Sequence, residues 1–204
     1  MIQKHSYWYF KEALTKRTCE HILEYGKSKQ LLIGQTGATL NPEKLKNKKI
    51  KKQRHSNVAW LDDTWIYKEI IPYVKEANKN SGWNFEFDCA ESCQFTKYGP
   101  GQFYDWHADS WEEPYDKPGT LQHNKIRKIS VTCQLTNPSE YVGGELEFLK
   151  LNESKGKTIK YKCEEAKSIG SIVVFPSYLV HRVTPVISGV RYSLVIWNLG
   201  YPFK

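Results

Sequence analysis

Three residues that can bind a metal, placed in two distant segments, constrain how this chain can fold. The segment YDWHADSW contains His107 and Asp109, and the segment HRVTPVISGVRYS begins with His181 about seventy residues further on. In an extended segment, side chains two residues apart emerge on the same face, so the first two can point to one place. The fold must then return a second strand so that His181 meets them.

The types of these three residues indicate which metal fits. Two imidazoles and one carboxylate can occupy one face of an octahedron and leave three positions open for other ligands. Such an open site is typical of non-haem iron(II) centres that react with dioxygen. A single H-x-D motif occurs often by chance, and the interpretation therefore depends on the ordered set of residues.

A predicted anion site follows the second histidine. Arg191 lies ten residues after His181, and Ser193 lies two residues further on. A guanidinium can bind a carboxylate through two hydrogen bonds, and Ser193 faces the same side of a strand. In the otherwise apolar strand RYSLVIW, a buried arginine is costly unless it meets an anion. A dicarboxylic acid such as 2-oxoglutarate fits, with its far carboxylate on Arg191 and its keto end on the metal.

Longer stretches around these residues resemble a known family. They are YGPGQFYDWHAD, GGELEF and GSIVVFPSYLVHRVTPVISGVRYSLVIW. Together they resemble Fe(II)/2-oxoglutarate dioxygenases of the prolyl 4-hydroxylase type, in particular the small bacterial and phage members. The resemblance extends from about Ser92 to the C-terminus, and more loosely back through NVAWLDDTWIY.

The resemblance implies roles for individual residues. It implies that the two histidines and the aspartate bind iron and that Arg191 anchors 2-oxoglutarate. Tyr98 and Tyr104 are similar to residues that line the co-substrate pocket. The implied cofactors are Fe(II), 2-oxoglutarate and O2, and ascorbate stays open as a further one. Some relatives have a second tyrosine on the central strand, where KISVTCQL offers Cys133 or Gln134.

The N-terminal part of the chain predicts two helices. LTKRTCEHILEYGKSK has apolar residues near helical spacing, with Thr15 and Thr18 available as caps. DDTWIYKEIIPYVKEANKNSG begins with Asp62 or Asp63 as its cap, ends near Gly82, and contains Pro72, which predicts a kink.

From residue 85 onward the pattern predicts short strands. The candidate strands are FEFDCAESCQFTKY, KIRKISVTCQL, GELEFL, TIKYKC, SIVVFP, LVHRVTPV and VRYSLVIW. We therefore expect a mainly β fold with flanking helices, a double-stranded β-helix of the jelly-roll or cupin-like type. The 204 residues are expected to form one domain, with a helical part at about 1–84 and a jelly-roll core at about 85–204.

Cysteine use and hydropathy favour a cytoplasmic protein. The five cysteines are an odd number spread widely, which favours reduced thiols; they are Cys19, Cys89, Cys93, Cys133 and Cys163. A zinc pair at Cys89 and Cys93 lacks two further ligands nearby, so buried structural cysteines are favoured. No run of 18 apolar residues exists in the sequence, and the first residues lack the apolar core of a signal peptide.

The formal net charge of +8 is concentrated in the lysine-rich segment 44–54, KLKNKKIKKQR. Such a run is typical of a solvated loop. The alternative is an arm that meets an acidic partner, including a nucleic acid, which stays secondary because no base-stacking module accompanies it.

The segment WEEPYDKPGTLQHNK after Asp109 is rich in proline, glycine and charge, and it is a candidate lid. Three tryptophans are candidates for an aromatic wall beside the metal, with plain core packing as the alternative; they are Trp106, Trp111 and Trp197.

The sequence thus predicts an iron(II)- and 2-oxoglutarate-dependent enzyme that hydroxylates an unactivated C–H bond and releases succinate and carbon dioxide. The resemblance points to a prolyl residue in a peptide or protein, whereas the oligomeric state stays open. An oxygenase acting on a small molecule or a nucleic acid is the first alternative, because one scaffold supports many substrates. A non-enzymatic cupin-like binding module is the second.

Overall fold

Two helices form where the sequence predicts them. The computed structural model describes residues 5–35, 53–152 and 157–203. Helix α1 spans Lys16–Ser28, and its N-cap Thr15 accepts a hydrogen bond from the backbone N–H of Thr18. Helix α2 spans Thr64–Asn80 with Asp63 as its N-cap, and it continues through Pro72 without a break. No helix in the described residues is long and apolar enough to cross a membrane.

The strands form two main antiparallel sheets and one small pair. The larger sheet contains eight strands: β1 (Trp8–Phe10), β2 (Leu32–Ile33), β4 (Asn57–Leu61), β5 (Cys89–Ala90), β6 (Cys93–Tyr98), β8 (Ile126–Gln134), β12 (Ile172–Pro176) and β15 (Arg191–Gly200). The smaller sheet contains five: β3 (Arg54–His55), β7 (Phe103–His107), β10 (Leu146–Asn152), β11 (Lys157–Lys162) and β13 (His181–Val183). Strands β9 (Tyr141–Gly143) and β14 (Val186–Gly189) form the separate pair.

Strand order places the long strands at the centre of the larger sheet. The order is β1-β12-β8-β15-β6-β4-β2, with β5 pairing β15, and in the smaller sheet it is β11-β10-β13-β7-β3. The two sheets face each other, since Phe148 of β10 packs edge-on against Phe175 of β12 with ring centroids 5.1 Å apart. Two facing antiparallel sheets are the jelly-roll architecture that the sequence predicts.

The main core lies between the larger sheet and the two helices. Residues at alternate positions of the central strands, such as Val131, Leu194 and Ile196, are fully buried together with Ile22 and Ile66 of the helices. The intervening positions of the same strands point the other way, toward the smaller sheet. This alternation gives the larger sheet an apolar face for packing and a polar face for the site.

Two predictions about the strands need correction. The β core does not begin near residue 85, because β1 and β4 of the first 84 residues pair with β12 and β6 in the larger sheet. The predicted strand at 85–98 is interrupted: residues 85–88 are not in a strand, and β5 and β6 are separate.

The cysteines are free thiols, as the sequence predicts. Cys93 is buried in the core beneath the helices, whereas Cys89 is half-buried and is not the core residue that was predicted.

Candidate iron and co-substrate site

The fold brings the three predicted metal-binding residues together. His107 is the last residue of β7 and lies directly opposite His181, the first residue of β13. Asp109 follows β7, and its backbone N–H donates to the carbonyl of Ser177 at 2.8 Å, which holds the turn near the end of β12. The potential ligand atoms of the three residues all lie within 4.8 Å of one another, so these residues could hold a metal ion.

Backbone carbonyls orient both imidazoles. The Nδ1 atom of His107 lies 2.7 Å from the carbonyl oxygen of Asp105, and that of His181 lies 2.9 Å from the carbonyl of Leu179. Each Nε2 atom is then directed toward Asp109, at 3.6 Å from one of its carboxylate oxygens. Metal-binding histidines usually have their second nitrogen held in this way, because it fixes the tautomer and the ring orientation.

The carboxylate of Asp109 is buried and held by a serine pair. It is 5% exposed, and its Oδ2 accepts a hydrogen bond from the Ser130 hydroxyl at 2.7 Å. Ser130 in turn lies 2.9 Å from the Ser177 hydroxyl. Burial acts to raise the pKa of Asp109, but the neighbouring His181 and His107 outweigh it and hold this pKa well below its usual range. The carboxylate is therefore ionised at neutral pH.

The donor set fits a divalent cation. The buried Nε2 of His107 has no hydrogen-bond partner. Burial and the neighbouring His107 lower the pKa of His181 to about 4, which keeps that imidazole neutral and its lone pair free at physiological pH. Two neutral imidazoles and one carboxylate converging on one point match the three-residue iron(II) site that leaves positions open.

Arg191 and Ser193 lie on the site face of the larger sheet. Arg191 is 3% exposed, and its Nη1 is 3.4 Å from the Ser193 hydroxyl. No carboxylate in the described part of the chain lies within 4.0 Å of its guanidinium. A buried cation without a counter-charge is costly, so this position favours an anionic ligand.

Both predicted tyrosines are close to these groups. Tyr98 lies directly opposite Arg191 across β6 and β15. The Tyr104 ring stacks on His107 with centroids 3.4 Å apart. Burial raises the pKa of both phenols although Arg54 opposes it, so both hydroxyls remain protonated hydrogen-bond donors.

Arg54 was missed because it ends the lysine-rich segment, of which residues 44–52 lie outside the described residues. Arg54 is buried and does not belong to a solvated loop: its guanidinium lies 4.6 Å from the Tyr104 ring centroid, and Nε donates to Ser56 at 2.8 Å. The sequence signal was the alternation of Arg54 and Ser56 around His55, which places both side chains on one face.

The orientation of β8 shows which of two residues, Cys133 or Gln134, faces the site at the position where some relatives have a second tyrosine. Cys133 is fully buried in the core beneath the helices. Gln134 lies directly opposite Ser193, on the site face, and is 2% exposed. Gln134 therefore faces the predicted co-substrate pocket and Cys133 does not.

The three tryptophans occupy different places. Trp106 stacks on Arg182, which neighbours His181 on the opposite face of β13, so Trp106 lies outside the site. Trp111 is 43% exposed after β7. Trp197 lies opposite Ser130 on the site face.

Arg127 links two of these tryptophans and was missed by the sequence reasoning. Its guanidinium lies 3.7 Å from the Trp197 ring centroid and 5.4 Å from that of Trp111. It also forms two hydrogen bonds with Glu91, which accepts another from Tyr115 at 2.8 Å. This cluster fastens the start of the predicted lid to the larger sheet. No sequence motif marks it, because its members come from four distant segments.

Comparison with known proteins identifies the family. A model described as the 2OG-Fe(II) oxygenase superfamily matches residues 93–198, just over half of the 204 residues. The chain belongs to this superfamily. An oxygenase of this family uses iron(II), 2-oxoglutarate and dioxygen, which confirms the cofactors predicted from the sequence. The matched range contains every predicted ligand residue.

Relatives and solved structures agree with this assignment. The oxygenase is 35% identical over 101 residues to a PKHD-type hydroxylase of Synechococcus sp., which is 50% of this chain and 38% of that protein. It is 31% identical over 104 residues to a PKHD-type hydroxylase of Klebsiella pneumoniae, which is 50% of this chain and 41% of that protein. The matched part thus spans about two fifths of the length of these curated relatives.

Two solved structures have the same fold. A viral collagen prolyl hydroxylase from Paramecium Bursaria Chlorella virus-1, in its 2OG complex, gives a TM-score of 0.64 at 19% identity and covers 97% of both chains. A prolyl-4-hydroxylase from Pseudomonas putida gives 0.65 at 18% identity, covering 96% of this chain and 92% of that chain. These likenesses confirm the double-stranded β-helix predicted from the sequence.

Proposed function

We propose that this oxygenase hydroxylates an unactivated C–H bond of a prolyl residue in a peptide or protein, releasing succinate and carbon dioxide. One observation carries the proposal: two imidazole Nε2 atoms and a carboxylate converge on one point, at the face of the larger sheet that also carries a buried arginine with no carboxylate partner among the described residues. The family supplies the reaction class, whereas the activity and substrate of the whole protein are our proposal.

In this proposal the site residues have distinct tasks. His107, Asp109 and His181 bind iron(II). Arg191 and Ser193 hold the far carboxylate of 2-oxoglutarate, and Tyr98 and Tyr104 line the pocket. When bound, iron(II) with 2-oxoglutarate and dioxygen supplies the oxidising power for the C–H bond. Asp109 and Arg191 are both buried in this site, and a low local dielectric strengthens the charge interaction that Arg191 can make.

The prolyl substrate is supported by proteins of similar fold. Two are the prolyl hydroxylases described above, and a third is a prolyl hydroxylase from Trichoplax adhaerens, in complex with a hypoxia inducible factor peptide fragment. That structure gives a TM-score of 0.60 at 19% identity. A peptide or protein is therefore the first choice of partner, and the free, widely spread cysteines favour the cytoplasm as its location. A nucleic acid stays secondary, because no base-stacking module accompanies the lysine-rich segment in the sequence.

The proposal is tested in two stages. Anaerobic addition of Fe(II) and 2-oxoglutarate should produce a visible metal-to-ligand charge-transfer band. Dioxygen and a library of proline-containing peptides are then added. The amount of succinate released should match the amount of peptide that gains one oxygen atom. Each peptide has a control in which alanine replaces proline.

Matched histidine variants sharpen the test. His107→Ala and His181→Ala should abolish the band and turnover, while His55→Ala, an exposed histidine on β3, should retain both. Absence of the band in the wild-type protein would refute the co-substrate assignment. If only small molecules or nucleic acids stimulate succinate release, one of them is the substrate and the prolyl proposal is wrong.

A further inference from the structure

Tyr141 places its aromatic ring near the Arg191 side chain. It is the first residue of β9 and pairs with Gly189 of β14, which lies two residues before Arg191. A Cβ atom added to Gly144 would lie 3.0 Å from Cδ of Arg191 and 3.5 Å from Cε2 of Tyr141. The two side chains therefore flank the same glycine, and they also line the same small cavity.

Gln134 orients the Tyr141 hydroxyl. Its Nε2 donates to the Tyr141 oxygen at 2.9 Å and to the backbone carbonyl of Thr136 at 3.0 Å. An amide nitrogen has two hydrogens, and both are used in this arrangement. Since the Tyr141 oxygen accepts from Gln134, its own proton remains to be donated, and no acceptor for it is found among the described residues.

The surroundings of Gln134 extend the polar surface. Gln134 faces Ser193 across β8 and β15, and Ser193 faces Thr96 across β15 and β6. All three are buried polar residues on the face that carries Arg191. The Oε1 atom of Gln134 is itself buried without a partner. Buried polar groups of this kind are costly unless a ligand or water completes their hydrogen bonds.

We propose that Tyr141 is a further co-substrate-binding residue: its hydroxyl donates a hydrogen bond to the far carboxylate of 2-oxoglutarate, with Gln134 as the residue that positions it. The proposal rests on the proposed function and deepens it. The site then recognises a 2-oxo acid by a second carboxylate that meets a guanidinium from β15 and a phenol from β9.

The test measures binding and not turnover. Anaerobic titrations with Fe(II) compare 2-oxoglutarate with 2-oxopentanoate, which has the same chain length but lacks the far carboxylate. A hydrogen bond to a charged group contributes about 1.5–3 kcal/mol, so Tyr141→Phe should weaken 2-oxoglutarate binding by roughly tenfold to a hundredfold. Binding of 2-oxopentanoate should change less than about twofold. Tyr192→Phe is the matched control, because Tyr192 stacks on Phe95 on the helix side of β15.

A second variant tests the positioning role. Gln134→Met keeps the side-chain volume and removes the donor to Tyr141, so it should also weaken 2-oxoglutarate selectively. In the Tyr141→Phe background this effect should largely disappear, because the two residues act through one hydrogen bond.

Three results are decisive. Tyr141→Phe binding both acids like the wild type would overturn the inference while the proposed function stands. An equal loss for both acids would assign Tyr141 a structural role and would also overturn it. Failure of the wild-type protein to bind 2-oxoglutarate would refute the proposed function itself, and the inference with it.

Discussion

Removing the hydroxyl of Ser130, which lies next to the proposed metal site, gives the clearest prediction. Ser130 donates to the Asp109 carboxylate at 2.7 Å in a fully buried setting. Ser130→Ala removes this donor without altering the three residues that we propose as ligands. We expect it to weaken metal binding and to leave the fold intact.

Ser130→Ala should weaken metal binding by about tenfold to a hundredfold. A hydrogen bond to a charged group contributes about 1.5–3 kcal/mol. Loss of a partner that orients a metal ligand typically costs tenfold to a hundredfold in affinity, which is about 1.4–2.7 kcal/mol. Because the histidines keep Asp109 ionised, the loss should come from orientation and should stay constant between about pH 6 and 8.

The assay is calorimetric titration with Ni(II) or Co(II) in the absence of 2-oxoglutarate. Ser177→Ala is the matched control, because the Ser177 hydroxyl contacts Ser130 at 2.9 Å while only its backbone carbonyl bonds the Asp109 segment. This control should lose about threefold at most. If Ser130→Ala binds metal as tightly as the control, the hydroxyl does not orient Asp109 and our reasoning fails.

Three further predictions concern the anion site, the thiols and the helix packing. Arg191→Ala should weaken 2-oxoglutarate binding by roughly thirty-fold to several thousand-fold, because breaking a buried charge pair costs about 2–5 kcal/mol. Arg191→Lys should recover only part of this affinity. An unchanged affinity in an anaerobic titration would mean that the anion binds elsewhere. At pH 8 a colorimetric thiol reagent should react with Cys89 before the other four cysteines, because those four are buried whereas Cys89 is half-buried, although burial raises the pKa of all five thiols. Equally fast reaction of two or more thiols would contradict this. Gly26→Ala should lower the free energy of unfolding by about 1–3 kcal/mol in a denaturant titration, because the added methyl group overlaps the buried Phe95 ring. This loss is expected even though alanine favours helices more than glycine does. A stabilised variant would refute the contact.

The site was predictable where chemistry and spacing agree. Polar and charged side chains of these types are rarely buried unless they have a binding or structural role. Four of them occur in short, recognisable motifs: His107, Asp109, His181 and Arg191. The central strands β8 and β15 were predictable because a run of mostly apolar and β-branched residues between turn-rich segments favours a buried strand.

Other features depend on tertiary structure that local sequence does not encode. Tyr104 and His107 are three residues apart, and strict alternation would put them on opposite faces of β7. They share one face because the register against β13 shifts, with His107 opposite His181 and Tyr104 opposite Val183. This is the geometry of a β-bulge, whose extra residue has no reliable sequence signal. The Arg127 cluster was equally hidden, since its residues meet only after folding.

The opposite faces of the larger sheet have a consequence for how this protein can change in evolution. Along β15, Leu194 and Ile196 pack beneath the helices, whereas Arg191 and Ser193 face the site. Substitutions at neighbouring residues of one strand can therefore have separate effects, at one set of positions on folding and at the other on the proposed site. Substitutions on the site face can alter which acid or substrate is accepted without disturbing the packing that keeps the chain folded. One strand can thus retain its scaffold role while its chemistry diverges.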